Sequence, residues 1–512
     1  MLLMQGSGRA FAPVGCGAAP RKGAIPVGLA GARRTRTRSN FKNGGKDAPL
    51  SAPALVEHVP APPTGAHPAD TLQVETLREF LQPRPSPFTK DNNAGAGFVG
   101  DRDRIRMHTA VYESDKVTGL KAPRAVMEAL QEDGTGYEGV PEWAIRSGPR
   151  ETIYFDPREV TAAIVTCDGL CPGVNDVVQN MVFTLADYGV PEDQILGIKY
   201  GLRGFYDKDS KPVTLTRRAV DGIHLKGGTM LGTSRGGGDA AEIVRRIDLW
   251  GVNMLYIVGG NGGNKAAAAI QEEIKRQGVL CTVASVPKSI DNDILLIDKC
   301  FGFDTAVAEA HRALLAAKVE AVSGCRGVGL VRLMGRNSGF IAMQASMASG
   351  VVDVCLIPEM GPISMDKLLA HTSAILDRKG HCVVCVAEGV GQEGAGGIDK
   401  QGYAILKDIG LVLRDVFKAR FKDQADIKYI DPSYLIRATP PSSSDRIYCK
   451  VLGQGAVHAS FAAYTGFSVS QLKTHYVLLP TRSLNKGFRA VNIHGRTWTR
   501  LKTAIQQPDL SL

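Results

Sequence analysis

The sequence predicts an α/β protein whose sheets are mostly parallel and covered by helices. Two patterns predict it. From Val160 onward, short apolar runs alternate with amphipathic stretches of helical length, which is the order of strand–helix units. Glycine-rich turns follow several of those runs, at the strand ends where such sheets bind ligands. A length of 512 residues suits two large lobes with extensions, or about three domains.

The elements follow in order. Residues 1–65 are rich in Pro, Ala, Gly and Arg and read as disordered or cleaved. Residues 66–155 are mixed, with one helix predicted over 69–81. Strands are predicted at 162–167, 195–200, 254–259, 281–286, 328–333, 354–358, 382–387 and 429–436. Helices are predicted in the gaps, including 174–188, 265–276, 305–319, 340–348 and 403–421. No short-period repeat is present.

Charge is concentrated at one end. Residues 1–46 hold nine Lys or Arg and no Asp or Glu, leaving 52 basic and 51 acidic residues elsewhere. The net charge of +10 therefore belongs to the N-terminus and not to a nucleic-acid-binding face. An acid-free stretch of Arg, Ala, Gly and Ser reads as an organelle transit peptide, densest at Arg33-Arg34-Thr35-Arg36-Thr37-Arg38. The other reading is a basic arm for RNA or an acidic surface, although no aromatic residue interleaves those arginines for base stacking. No apolar run approaches the roughly 18 residues needed to span a bilayer.

Ten cysteines are scattered, mostly in apolar runs. Cys382 and Cys385 have C-x-x-C spacing, but on a strand positions i and i+3 face opposite sides. Buried thiols are the reading there, and no zinc spacing is present.

Three glycine loops follow predicted strands, at 166–173, 226–236 and 258–265. Glycines let backbone amides approach phosphate oxygens, and a helix N-terminus adds favourable partial charge. Tight turns that need glycine only for positive φ are the plainer explanation of any one loop; three together point to phosphate. None fits G-x-x-x-x-G-K-[ST] or a clean G-x-G-x-x-G.

The segment Pro287-Lys288-Ser289-Ile290-Asp291-Asn292-Asp293 follows another apolar run. One carboxylate there can accept a proton from an alcohol, and a second can help position a magnesium–nucleotide. A polar turn with Asp and Asn caps is the alternative. Beyond it, Met334-Gly335-Arg336 ends a strand and can hold a phosphate or hydroxylated substrate. Glu388 at the end of 382–387 can accept sugar hydroxyls, and Arg437 at the end of 429–436 is a second phosphate clamp.

With these residues assembled, the chain resembles the ATP-dependent 6-phosphofructokinases, in particular the plant and algal branch. The resemblance runs from about Ile145 to Pro508, including the lead-in from Ser147 to Phe155 and the ending from Trp498 to Pro508. Its motifs are PKSIDND, GGTMLGTSRGG, FGFDTAVAEA, LMGRNSGFIAM, AEGVGQ and IDPSYLIRA. It implies two Rossmann-like lobes with the site between them: an ATP-binding lobe over 156–325 and a fructose 6-phosphate lobe with a C-terminal extension over 326–512. Asp291 is implied as the base that takes the proton from the sugar 1-hydroxyl. Ser289, Ile290, Met334, Gly335, Arg336, Glu388, Tyr434, Leu435, Ile436 and Arg437 are implied to bind the sugar phosphate beside it. Asp168, Gly169, Arg235, Gly236, Gly260, Asn261, Gly262 and Gly263 are implied to face ATP. Magnesium would fall to Asp293 and Asn261. A homo- or hetero-oligomer, a tetramer, in the plastid stroma is implied as well.

Gly262 leaves room for ATP where a carboxylate goes with pyrophosphate as donor. Lys288 is shared with both the pyrophosphate-using enzymes and the plant ATP enzymes. The donor side departs from the family three times. Asn261 replaces a carboxylate, Gly263 replaces a hydroxyl residue, and Asp168 replaces a glycine. An amide is a poorer ligand for a hard dication than a carboxylate. Three readings stay open: a working kinase that holds magnesium differently, a weakened sugar-phosphate-binding subunit of a hetero-oligomer, and a different phosphoryl donor.

Overall fold

Long apolar runs such as Met254–Gly259 and Cys382–Ala387 are buried along their whole length, as strands covered on both faces must be. The computed structural model describes residues 71–89, 97–107, 143–236, 238–392 and 406–512. The transit-peptide reading of 1–65 lies outside them. Both of its large sheets belong to one unit spanning 62–512.

The larger sheet has nine strands. Five central ones are parallel, in the spatial order Phe467–Leu472, Thr282–Pro287, Met254–Gly259, Ala162–Thr166 and Ile195–Ile198. Antiparallel strands flank them: Val213–Thr214 on one side, and His475–Pro480, Trp143–Arg146 and Arg104–Arg106 on the other. The smaller sheet is wholly parallel, in the order Val354–Leu356, Cys382–Ala387, Val328–Leu333, Ile427–Ile430. Helices Ala240–Leu249 and Asn261–Gln277 cover one face of the larger sheet through Ile243, Ile247, Ile270 and Ile274. On the other face, helices Val174–Tyr188 and Ser443–Phe461 contribute Val178, Met181, Leu452 and Val457 to the main core. These two helices touch closely at Gly453, where a Cβ would lie 2.7 Å from the Val177 carbonyl.

Register aligns the strand ends that matter. Val258 pairs with Thr166, and Gly259 with Pro287. The loops beginning at 167, 260 and 288 therefore leave one edge together. In the smaller sheet Leu333 pairs with Ala387 and Val331 with Ile430.

Among the helices that begin on glycines with no side chain to cap them are three at these edges: Asn261–Gln277 on Gly260, Phe303–Ser323 on Gly302 and Phe340–Ser349 on Gly339. A carboxylate from elsewhere supplies each cap. Asp168 accepts from the Gly260 and Gly263 amides at 2.7 and 2.8 Å. Asp445 accepts from Gly302 and Thr305 at 2.9 and 2.8 Å, and from the Thr305 hydroxyl. Glu359 accepts from Gly339 with both oxygens and from Val491 at 2.6 Å.

The structure corrects four sequence expectations. Among the described residues of 69–81 there is no α-helix. Glu75–Thr76 pairs antiparallel with Tyr464–Thr465, and Arg78–Phe80 is a single 3-10 turn. Leu72 and Val74 are buried while Gln73 is exposed, a period of two that edge pairing selects over helix. The strand expected over 429–436 ends at Ile430, and Ser433–Ala438 is helical. Pro432 offers no ladder N–H, and the Asp431 carboxylate accepts the Ser433 amide at 3.0 Å to start the turn. The helix expected over 403–421 begins at Ile409, capped by Asp408, with 403–405 outside the described residues. Finally, the chain returns to the larger sheet at Phe467–Leu472 and His475–Pro480, so the segment 326–512 is not confined to the smaller one.

Removing the Asp445 carboxylate should be costly, because it leaves two buried helix amides without an acceptor. Each unsatisfied buried group costs about 1–3 kcal/mol. Asp445→Ala is expected to lower the thermal midpoint far more than Asp239→Ala, which removes an exposed cap on Ala240–Leu249 worth roughly 0.5–2 kcal/mol. Equal shifts in a thermal melt would show that the remote cap carries no special weight.

Candidate active site

A cavity of about 790 Å³ lies where the carboxyl ends of the two sheets face each other. The larger sheet contributes Asp168, Gly169, Arg235, Gly236, Gly260, Asn261, Gly262, Ser289, Ile290, Asp291 and Asp293. The smaller contributes Met334, Arg336, Glu388, Tyr434 and Arg437. Four expected residues are not on its wall. Gly263 sits in the first turn of its helix, bonded to Asp168. Gly335, at φ 131°, accepts the Gly389 amide from behind the wall. Leu435 points to solvent, and Ile436 is buried in the core. Helical geometry explains the last two: Tyr434 and Arg437 are three apart and share a face, with the Arg437 guanidinium 5.2 Å from the Tyr434 ring centre.

The larger sheet's loops are held to one another by short bonds. Asp168 has a left-handed backbone, φ 68°. Its amide donates to the Ser234 carbonyl and its own carbonyl accepts the Thr233 hydroxyl, while its carboxylate caps the third glycine loop. It therefore touches both other glycine loops. Lys288 is buried, its amide bonded to the Gly259 carbonyl and its ammonium to the Gly169 carbonyl at 2.5 Å.

Two aspartates share the next turn. Asp293 accepts the Ser289 hydroxyl at 2.5 Å with one oxygen and the Asn261 amide at 3.0 Å with the other. Asp291 is different: its Oδ1 is buried with no partner. Burial, then Asp293 and then Glu388 push its carboxyl up to about 8, against the pull of Arg336. Burial also raises Asp293, despite its hydrogen bonds.

On the opposite wall Arg332 bonds Glu388 at 2.8 Å and Asp431 at 2.7 Å. Arg336 approaches Glu388 at 3.7 Å. Arg437 has a buried Nε with no partner, and a Cβ on Gly169 would lie 3.5 Å from its Nη1. That arginine reaches across to the first glycine loop.

Sequence reasoning missed Lys265, Arg332, Asn337, Asp431 and Phe488, and gave Lys288 no role; all line the cavity. A charged residue inside the apolar run 328–333 was a legible signal for Arg332. Lys265 stands one turn into a helix that follows a glycine loop, which was legible too. Phe488 carried none, because it arrives on a segment that folds back from the C-terminus. There Phe488 bridges to Ile294, and the Arg489 amide donates to the Asp293 carbonyl at 2.8 Å.

Chemically, the arrangement offers backbone amides and cations for phosphates on two facing walls, with an unpaired basic carboxylate between them. That is the equipment of phosphoryl transfer to an alcohol. Among the described residues no cluster of three His, Cys, Asp or Glu groups is set to hold a metal, and no helix is long and apolar enough to cross a membrane.

Known proteins share both sequence and fold. The phosphofructokinase family model matches residues 161–460. The chloroplastic ATP-dependent 6-phosphofructokinase 5 of Arabidopsis thaliana is 46% identical over 422 residues, covering 81% of this chain and 76% of that one. The ATP-dependent 6-phosphofructokinase of Borreliella burgdorferi is 36% identical over 455 residues, covering 85% of this chain and 97% of that one. Among solved structures, the pyrophosphate-dependent phosphofructokinase of Marinobacter aquaeolei superposes with a TM-score of 0.57 at 18% identity, covering 69% of this chain and 92% of that one; at that identity the likeness speaks to the fold. With this match and with both walls of the cavity in place, the chain belongs to the phosphofructokinase family.

Proposed function

We propose that this protein transfers a phosphoryl group from ATP to the 1-hydroxyl of D-fructose 6-phosphate, giving fructose 1,6-bisphosphate and ADP. One observation carries the reading: the unpaired buried oxygen of Asp291 stands between two cation-bearing walls. Asp291 takes the proton as the hydroxyl oxygen bonds the γ-phosphorus and the bond to ADP breaks. A raised carboxyl suits that task, since a base works best when its pKa lies near the working pH. Arg336 and Met334, with Glu388 held in place by Arg332, bind the sugar phosphate. Arg235, Lys265 and Lys288 offset charge on the donor phosphates. Arg437, reaching both walls, serves both phosphates.

Magnesium belongs to the proposal. The Asp293 carboxylate would help hold a dication completed by substrate phosphates and water, the usual way magnesium is bound. Asn261 spends its amide nitrogen on Asp293, so its side-chain oxygen is the atom that would face the metal. Such an ion neutralises charge on the phosphate oxygens. The chloroplastic relatives and the acid-free N-terminus support a plastid location.

ADP release should require fructose 6-phosphate and Mg-ATP. Asp291→Asn is expected to cut turnover by about a hundred- to ten-thousand-fold while sugar-phosphate binding persists. The same change should raise the melting temperature at pH 8 in magnesium-free buffer. The folded carboxyl titrates above its unfolded value, so its stabilising contribution is complete at acid pH and is lost as pH rises through about 8. Near-normal turnover, or an unchanged melting temperature at pH 8, would remove Asp291 from this role.

Arg336→Ala should raise the KM for fructose 6-phosphate by about tenfold or more, the loss expected for a charge-assisted bond, and leave that for ATP nearly unchanged. Arg437→Ala should raise both. A change confined to ATP in either variant would overturn the assignment.

Residues 1–65 fused to a fluorescent reporter should deliver it to the plastid of a plant or algal cell. Delivery to mitochondria, or retention in the cytosol, would reject that location.

A further inference from the structure

The cap on the third glycine loop is a carboxylate from the first. Asp168 Oδ2 holds the Gly260 and Gly263 amides. A Cβ on Gly263 would lie 2.8 Å from Cys167 Sγ and 3.3 Å from that same oxygen, so the glycine lets the helix start close against both residues.

That carboxylate also sits on the amides at the start of the Asn261–Gln277 helix. Such amides, with the positive end of the helix, are a natural seat for a phosphate oxygen. Here the seat is taken by the chain itself. The Asp168 backbone is held by Ser234 and Thr233, so its carboxylate leaves the seat only by turning about its own side-chain bonds and giving up both amides. A phosphate approaching Gly260 meets a negative charge already satisfied by two donors. The remaining attraction comes from side-chain cations on the same wall, Arg235, Lys265 and Lys288.

We propose that Asp168 is an internal stand-in for a donor phosphate oxygen, and that it shifts donor binding from backbone amides onto side-chain cations. The proposal rests on the reading of this wall as the ATP side. Asp168 then sets donor affinity and its salt dependence without touching the reacting atoms. It is a specificity-determining residue on the donor wall.

The test compares Asp168→Gly and Asp168→Asn with the parent protein, read by steady-state kinetics, calorimetric ATP binding and thermal melts. Asp168→Gly should bind ATP about tenfold more tightly, the gain expected when a charge-assisted hydrogen bond to phosphate becomes available. Its KM for fructose 6-phosphate should not move. Binding should also depend less on salt, since less of it rests on side-chain charges. Asp168→Asn keeps an acceptor for the amides and removes the charge, so it should fold normally and still tighten ATP. Weaker ATP binding in both Asp168→Gly and Asp168→Asn would overturn the proposal, because the carboxylate would then be helping the donor. If instead Asp168→Gly altered the KM for fructose 6-phosphate and not that for ATP, the assignment of this wall to ATP would fall, which is a separate failure.

Discussion

Several helices that follow parallel strands here start on glycine, and their first amides need acceptors. Gly260, Gly302 and Gly339 bring no side chain to that task. Buried amides left unpaired would cost more than most single contacts in the protein contribute. Asp168, Asp445 and Glu359 meet the need from 92, 143 and 20 residues away. Each bond is therefore also a long-range tie. Asp445 joins the Ser443–Phe461 helix to the start of Phe303–Ser323, and Glu359 joins the C-terminal segment to the start of Phe340–Ser349. The cavity edge is rigid because its helix starts are capped in this way.

That rigidity lets the site hold charges that would otherwise rearrange. Asp291 and Asp293 are two apart and both raised by burial. Asp293 spends both oxygens on Ser289 and Asn261, whereas Asp291 keeps one oxygen unpaired. A lone buried acceptor is a liability for stability and an asset for a base. On the other wall Arg332 spends its guanidinium on Glu388 and Asp431. It positions acids more than it offers charge to a ligand, although its Nε, like that of Arg437, is buried without a hydrogen-bond partner.

The returning C-terminal chain completes the arrangement. After the smaller sheet it contributes two strands to the larger one, then runs back past the Asp293 turn through Phe488, Arg489 and Val491. One segment thus braces both walls.

Much of this was legible in the sequence. Parallel strands buried on both faces must be apolar throughout, so 254–259, 328–333 and 382–387 match their predicted bounds residue for residue. The glycine loops and the PKSIDND carboxylates announced themselves by residue type, and most of those residues do line one cavity. Other features had no local signal. The Lys473–Thr474 hairpin turn has positive φ at both residues without a glycine, held in part by Asp298, so its two strands were not predicted. The helix carrying Arg437 read as strand because its apolar pattern is short and its start is set by Asp431 and Pro432. Above all, the sequence marked Asp168 as a departure from the family pattern and left its action open. Only the folded chain decides that it caps a helix 92 residues away, because the acceptor and its donors meet when three strands align in register and at no earlier stage.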